Sequence, residues 1–503
     1  MPHPSELTTD DGPGAHQDAT EGDATTVGAI LTAPPPREAA GEDTPIEAPA
    51  RTKGQLLLSG LYAMGDRVAA LVFGFGSLWM LTRMTTVELF GVWVFFSGFV
   101  ATVEVARSGL IQNALIRYLT TSPTSAHGRI FGGAWVLNLV IAVTGAALLW
   151  GAGDPLERWL HYDGLAILTK IYAVTFLATT PLWQYNYLQQ SHLEFRGPFW
   201  ATILRYGVMF GLTAAMFFGV YAVDLEAVSV LTTLAYGQLV AATLGALISY
   251  GYARRFLPKG TTLNRAWAAR LAHYGKYVFG TNLSSMLYKQ VDTAMLGVLL
   301  GASYGAVPAA IYGLAIRITN FVDVPTLAVA SIVFPESSRA SASGGPEAQA
   351  RMYERAVAGI LSLTLPALLI VGLLPGFLVE IVGGAKYAAT IPVLQVTVLF
   401  SLFIPFANQF GTLVDASGAP QLNFCYTLAG MLLNVGFNYA FISQLGVIGA
   451  PLGTLTTYLV MFVAMQRLLN RRFGVRLANV ARALPQTYAS LYRFALAKLK
   501  PGT

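Results

Sequence analysis

Apolar residues in this chain run in long unbroken blocks. They fill 55–82, 88–119, 130–150, 164–190, 198–219 and 226–252, then 271–300, 308–335, 356–375, 388–414, 420–442 and 448–469. A helix crosses a ~30 Å hydrocarbon layer with roughly 20 apolar residues, and no strand needs runs this long. The pattern therefore predicts an all-α, polytopic membrane protein with about twelve transmembrane helices. A weak further segment in the C-terminal tail would raise the number to fourteen. The segment 1–50 breaks the pattern, being rich in Pro, Ala, Thr, Asp and Glu without an apolar core. It is expected to be a disordered acidic cytoplasmic tail, leaving the first span as an uncleaved insertion signal.

The stretch 253–270 carries five basic residues and divides the runs into two sets of six. The expected organisation is an N-lobe over 51–252, a cytoplasmic inter-lobe loop over 253–270, a C-lobe over 271–470 and a basic tail over 471–503. Short matches link the halves. Tyr187-Leu-Gln-Gln-Ser191 precedes Gly197-Pro198 in one, and Leu413-Val-Asp-Ala-Ser417 precedes Ala419-Pro420 in the other. Parallel duplicated halves with a site between them near the midplane are one transporter plan. Pro181, Pro325, Pro366 and Pro405 interrupt spans and are candidate kinks. In the tail, Leu477, Val480, Leu484, Tyr488, Leu491, Ala495 and Leu499 recur at helical spacing among basic residues. They predict an amphipathic helix on the inner leaflet, bent near Pro485.

Composition agrees. The chain is 54% apolar and 12% charged with mean hydropathy +0.54, against roughly 25% charged residues in soluble proteins. The net charge of +6 invites a nucleic-acid partner, but the basic residues sit in the gaps between apolar runs. Arg117, Arg129, Arg196, Arg254, Arg255, Lys259, Arg265, Arg270, Arg339, Arg351 and Arg355 fall in one alternating set, and Arg83, Arg158 and Lys386 in the other. The positive-inside rule then places both termini in the cytoplasm of a multi-pass inner-membrane protein, with no nucleic acid involved. The single cysteine, Cys425, excludes an internal disulfide framework. No histidine pair has metal-ligand spacing, and no Walker A sequence is present.

Charges inside the spans carry the chemistry. A charge at the bilayer centre costs roughly 2.5–3.5 kcal/mol on insertion scales, so it faces a hydrated interior or a partner. Asp66 and Arg67 fall about twelve residues into the first run, ~18 Å deep at ~1.5 Å per residue. Glu104 with Arg107, and Lys289 with Asp292, are spaced i,i+3 and share a helix face. Arg317, Asn320 and Asp323 form a polar stripe ahead of Pro325, and Arg205 is shallower. Each acid–base pair could simply weld helices. The functional reading is a central cavity lined by both signs. In it Arg67, Arg107, Arg205, Lys289 and Arg317 bind an anion, for which the guanidinium fork suits phosphate. Asp66, Glu104, Asp292 and Asp323 tune the charge or carry H+ or Na+.

At these residues the chain resembles the oligosaccharide flippases, of O-antigen or exopolysaccharide type, in the multidrug/oligosaccharidyl-lipid/polysaccharide exporter superfamily. The resemblance covers about 55–470. It rests on Arg83-Met-Thr-Thr-Val-Glu-Leu-Phe-Gly91, Gln290-Val-Asp-Thr-Ala-Met-Leu-Gly297, Tyr312-Gly-Leu-Ala-Ile-Arg317, Phe334-Pro335, Asn434 and Gly446-Val-Ile-Gly449. It implies two six-helix lobes around a central cavity, as in multidrug (MATE-like) transporters. It also implies movement of undecaprenyl-pyrophosphate-linked oligosaccharide from the inner to the outer leaflet, with membrane lipids and the polysaccharide polymerase and export machinery as partners. No cofactor is expected beyond coupling to H+, Na+ or the membrane potential. A cation-coupled drug antiporter, which calls for an acidic cavity, and a membrane sugar polymerase or ligase, which calls for a large external loop, are the alternatives. The mixed charge disfavours the first, and the short outer loops near 150–163 and 376–387 disfavour the second.

Overall fold

The computed structural model describes residues 53–220, 228–320, 346–417 and 420–499. Those residues are helical throughout, with no strand among them. The first six helices are α1 (Lys53–Met84), α2 (Val87–Thr121), α3 (Thr124–Leu160), α4 (Leu165–Ser191), α5 (Arg196–Phe217) and α6 (Ser229–Ala253). There follow α7 (Arg265–Tyr304), α8 (Val307–Asn320), α9 (Pro346–Leu373), α10 (Pro375–Val382), α11 (Thr390–Ser401), α12 (Ile404–Ala416), α13 (Pro420–Leu445), α14 (Gly449–Phe473) and α15 (Leu477–Leu499). Local chemistry sets several ends. The Thr86 hydroxyl caps α2 by accepting from the Leu89 amide at 3.2 Å, and the Asn264 side chain caps α7 by accepting from Trp267 at 3.0 Å. Gly474, at φ 75°, closes α14 in the left-handed conformation.

Eight helical stretches among the described residues are long and apolar enough to cross a membrane, and the last of them, 421–473, holds both α13 and α14. Besides the short α10 and the tail helix α15, the helices left out are α1, α7 and α8. α1 and α7 carry Asp66, Arg67, Lys289 and Asp292; α8 carries Arg317, and its run continues beyond the described residues. With α1, α7 and the described part of α8 added, helices fall on each of the twelve expected runs. The expected 388–414 helix is two pieces, because Pro405 lies at the start of α12, where a missing amide costs least. Pro181 and Pro366, by contrast, sit inside unbroken α4 and α9, and Pro325 lies outside the described residues. The 376–387 loop contains the short helix α10, and α3 runs on through Pro155 to Leu160.

The halves repeat one packing plan. α1 packs on α5, as α7 packs on α13; α2 packs on α4, as α8 packs on α11; α5 pairs with α6, as α13 pairs with α14. The serines ending the matched segments behave alike. Ser191 donates to the Leu188 carbonyl at 2.7 Å, and Ser417 to the Val414 carbonyl at 2.8 Å.

The apolar core is shared at one end of the bundle and divided at the other. At the end bearing Arg83 and Lys386, a single core joins both lobes. It holds Phe90, Phe96, Leu165 and Phe176 of the N-lobe with Ala309, Leu314, Val379 and Leu394 of the C-lobe. At the Arg-rich end, Ile111, Leu115, Phe131 and Leu188 form one core, and Tyr353, Val357, Phe410 and Met465 form another. Side chains also join the lobes at the shared end. Thr82 donates to the Val382 carbonyl at 2.7 Å, and Lys386 to the Thr85 carbonyl at 2.5 Å. Burial and the adjacent Arg83 hold the Lys386 amine below the ordinary lysine range.

α2 and α7 run antiparallel along the seam in close contact. A Cβ on Gly91 would meet the Ala306 carbonyl oxygen at 1.9 Å, and one on Gly275 would meet the Leu110 oxygen at 2.1 Å. Across the bundle, α1 packs chiefly on α5 and has no extensive packing on the described part of α8. The seam is therefore tight on its α2–α7 side, and among the described residues it has no comparable contact between α1 and α8.

The tail helix α15 is continuous through Pro485. Its first turns dock on α9, where buried Glu354 accepts from the Arg476 amide at 2.8 Å and the Asn479 side-chain amide at 2.9 Å.

Candidate functional site

Of the buried polar clusters among the described residues, three hold the charged candidates. The first is internal to the N-lobe. Glu104 and Arg107, one turn apart on α2, form an ion pair. Arg107, 1% exposed, also donates to the Phe176 carbonyl at 3.0 Å and to Thr179 at 2.8 Å. Its guanidinium lies 4.2 Å from the Phe176 ring centroid. Tyr172 donates to Glu104 at 2.9 Å. A buried guanidinium persists only where acceptors surround it, and α4 supplies them. The Arg107 Nε finds no acceptor among the described residues. This cluster ties α2 to α4.

The second cluster is internal to the C-lobe. Asp292 of α7 accepts from the Tyr312 hydroxyl of α8, from Asn438 of α13 at 2.5 Å and from Thr454 of α14 at 2.8 Å. Asn438 also donates to Asn434 at 3.1 Å, and Asn434 to Thr454 at 3.0 Å. Four helices thus converge on one buried carboxylate. Lys289, a turn away, is exposed and forms no ion pair with it. The i,i+3 spacing placed the two on neighbouring positions, but neutral donors hold the acid, and the amine has no ion pair among the described residues. The buried Asn438 Oδ1 finds no donor among the described residues. A carboxylate among amide and hydroxyl oxygens, one of them unsatisfied, has the donor set that a proton or a hard cation such as Na+ takes. No group of three or more His, Cys, Asp or Glu is placed to hold a metal among the described residues.

The third lies on the seam. Arg317 of α8 donates to the Ser97 hydroxyl of α2 at 3.0 Å and sits 5.5 Å from the Phe90 ring centroid. No carboxylate pairs with it among the described residues. Beside it, the Gln290 amide oxygen lies 2.2 Å from where a Gly98 Cβ would stand, so the side chains of α7 press directly on α2.

The charges are therefore not gathered into one cluster. Glu104 with Arg107 and Asp292 are separated into one lobe each, because neutral donors within each lobe satisfy them. Arg205 packs against Gly245 of α6 and the Trp183 ring of α4, inside the N-lobe and away from the seam. Of the basic candidates with described side chains, Arg317 stands on the seam and Lys289 is exposed on the seam helix α7. Asp66 and Arg67 lie on α1 with side chains outside the described residues, and Asp323 lies outside them altogether. Sequence reasoning missed Tyr172, Thr179, Asn438, Thr454 and Ser97. The i,i+4 asparagines 434 and 438, alone in an apolar run, were the signal that could have found the C-lobe cluster.

Residues 80–392 match the model of a family described as polysaccharide biosynthesis protein. AglR of Haloferax volcanii, a probable flippase, is 26% identical over 73% of this chain and 74% of its own. Of two further curated relatives, the chain spans less than half the length. Among solved structures, the lipid II flippase MurJ in an inward closed conformation superposes with TM-score 0.66 at 13% identity, covering 89% of this chain and 94% of that one. An inward-facing multidrug resistance MATE family transporter of the MOP superfamily superposes with TM-score 0.64 at 18% identity, covering 80% and 95%. These likenesses establish the two-lobed, all-α membrane fold. With the family model spanning more than half of its length, the chain belongs to the polysaccharide biosynthesis protein family.

Proposed function

We propose that the protein is a flippase. It carries undecaprenyl-pyrophosphate-linked oligosaccharide units from the inner to the outer leaflet of the bacterial cytoplasmic membrane, for polysaccharide export. The observation that carries this reading is Arg317, a guanidinium on the inter-lobe seam with no carboxylate paired to it among the described residues. A pyrophosphate takes the forked donors that such a group offers. Lys289, exposed on α7, adds a second cation. The divided core at the Arg-rich end supports a cytoplasm-facing opening, and the lack of comparable α1–α8 contact among the described residues supports lateral passage for a lipid tail. Rocking of the lobes then alternates access. The Arg-rich end and both termini face the cytoplasm in this reading.

The Asp292 cluster is the coupling element: it exchanges H+ or Na+ as the α7, α8, α13 and α14 contacts change. Outward movement of net negative charge is also favoured by an inside-negative potential, by about 2.3 kcal/mol per charge per 100 mV. The polymerase and export machinery receive the product. The test is loss of the gene: the lipid-linked oligosaccharide collects on the inner leaflet and polymer export stops. Export by Arg317→Ala at the wild-type level would refute the role of the seam.

A further inference from the structure

Away from the seam, α14 ends in a groove of about 520 Å³ lined by Ala464, Arg467, Leu468, Arg471 and Arg472. Arg467 and Arg471 are spaced i,i+4, so their guanidinium groups stack on one helix face. None of the three arginines pairs with a carboxylate among the described residues. Glu354, the buried acid at this end of the C-lobe, is already committed to the Arg476 amide and Asn479 of α15. The cluster is therefore left with uncompensated positive charge.

An apolar strip leads into the groove along the same helix. Leu459, Val460 and Val463 are nearly half exposed, and Ala464 and Leu468 carry the strip to the arginines at helical spacing. In a spanning helix such residues face acyl chains. One molecule thus meets a greasy track about two turns long and then three guanidinium groups at headgroup depth. Past the turn at Gly474, α15 adds exposed Arg476 and Arg482 with half-exposed Leu477, the composition of an interfacial helix.

The geometry points to a specific site for an anionic diacyl phospholipid, with its phosphate on Arg467, Arg471 and Arg472 and its chains along Leu459, Val460 and Val463. Fork-shaped donors take a phosphate diester in two parallel bonds, which a zwitterionic headgroup returns less well because its own cation competes. Charge complementarity favours a membrane lipid over a protein, since the strip faces hydrocarbon.

The test is native mass spectrometry of the full-length protein released from nanodiscs of equal parts phosphatidylglycerol and phosphatidylcholine. Wild type retains phosphatidylglycerol over phosphatidylcholine by on the order of tenfold. The R467Q/R471Q/R472Q variant brings the ratio to within about twofold, whereas Arg351→Gln, which removes an exposed pair with Glu347, leaves it unchanged. Equal retention of both lipids by wild type overturns the proposal without reference to any variant, and so does an undiminished preference in the triple variant. Displacement of bound phosphatidylglycerol by a polyprenyl diphosphate would assign the groove to the transported substrate and likewise overturn it.

Discussion

Arg317 of α8 donates to the Ser97 hydroxyl of α2 at 3.0 Å, across the seam between the lobes. A neutral hydroxyl is a weak partner for a guanidinium, and an arriving pyrophosphate would readily displace it. Arg317→Ala is expected to lower export at least tenfold with unchanged membrane levels, as losing a charged hydrogen bond costs about 1.5–3 kcal/mol. Arg317→Lys is expected to recover only part, since an ammonium lacks the fork. Export per membrane-inserted protein is the readout, and wild-type export by Arg317→Ala would remove the residue from the site.

The Glu104–Arg107 pair makes the opposite prediction. Its partners all lie within the N-lobe, so its role is to hold α2 against α4. Glu104→Gln leaves a buried guanidinium without its counter-charge, at a cost of about 3–5 kcal/mol. Thermal unfolding of the purified protein should drop sharply. The double variant Glu104→Gln with Arg107→Met should regain much of the loss. A Glu104→Gln protein as stable as wild type would show that the pair does not weld the lobe.

Asp292→Asn keeps the shape of the C-lobe cluster and removes its charge. Folding should survive, because the amide keeps one oxygen for Tyr312 and Thr454 and can turn its NH2 toward the unsatisfied Oδ1 of Asn438. Any dependence of transport on a Na+ or H+ gradient should vanish. Persistence of that dependence in the variant would move coupling elsewhere.

The shared end of the seam offers a mechanical test. Thr82 Oγ1 lies 2.7 Å from the Val382 carbonyl oxygen. With exposed Cys425 first replaced by Ser, joining Thr82→Cys to Val382→Cys with a short cleavable bis-thiol cross-linker should stop export, and cleaving the linker should restore it. Full export by the cross-linked protein would show that the lobes need not part there.

Much of the fold was legible in the sequence, for a physical reason. In hydrocarbon every backbone group must be bonded within its own segment, so apolar run length translates directly into helix length. The run 164–190 became α4 at Leu165–Ser191, and 420–442 became α13 at Pro420–Leu445. Breaks were less legible. Pro405 opens a new helix whereas Pro181 sits inside an unbroken one. The site was legible in its residues and not in its partnerships. Spacing put Lys289 beside Asp292, but the acid's partners came from Tyr312, Asn438 and Thr454 on three other helices. Spacing along one helix carries no information about its neighbours.

The central claim is that Arg317 on the seam handles the phosphates of a lipid-linked sugar in transit. Its most direct test uses purified protein in liposomes loaded with a fluorescent polyprenyl-pyrophosphate oligosaccharide, the arrival of label at the opposite leaflet being read by a membrane-impermeant quencher. The account predicts transbilayer movement with wild type and little above the protein-free rate with Arg317→Ala. Equal movement with both proteins, or none with wild type, would contradict it.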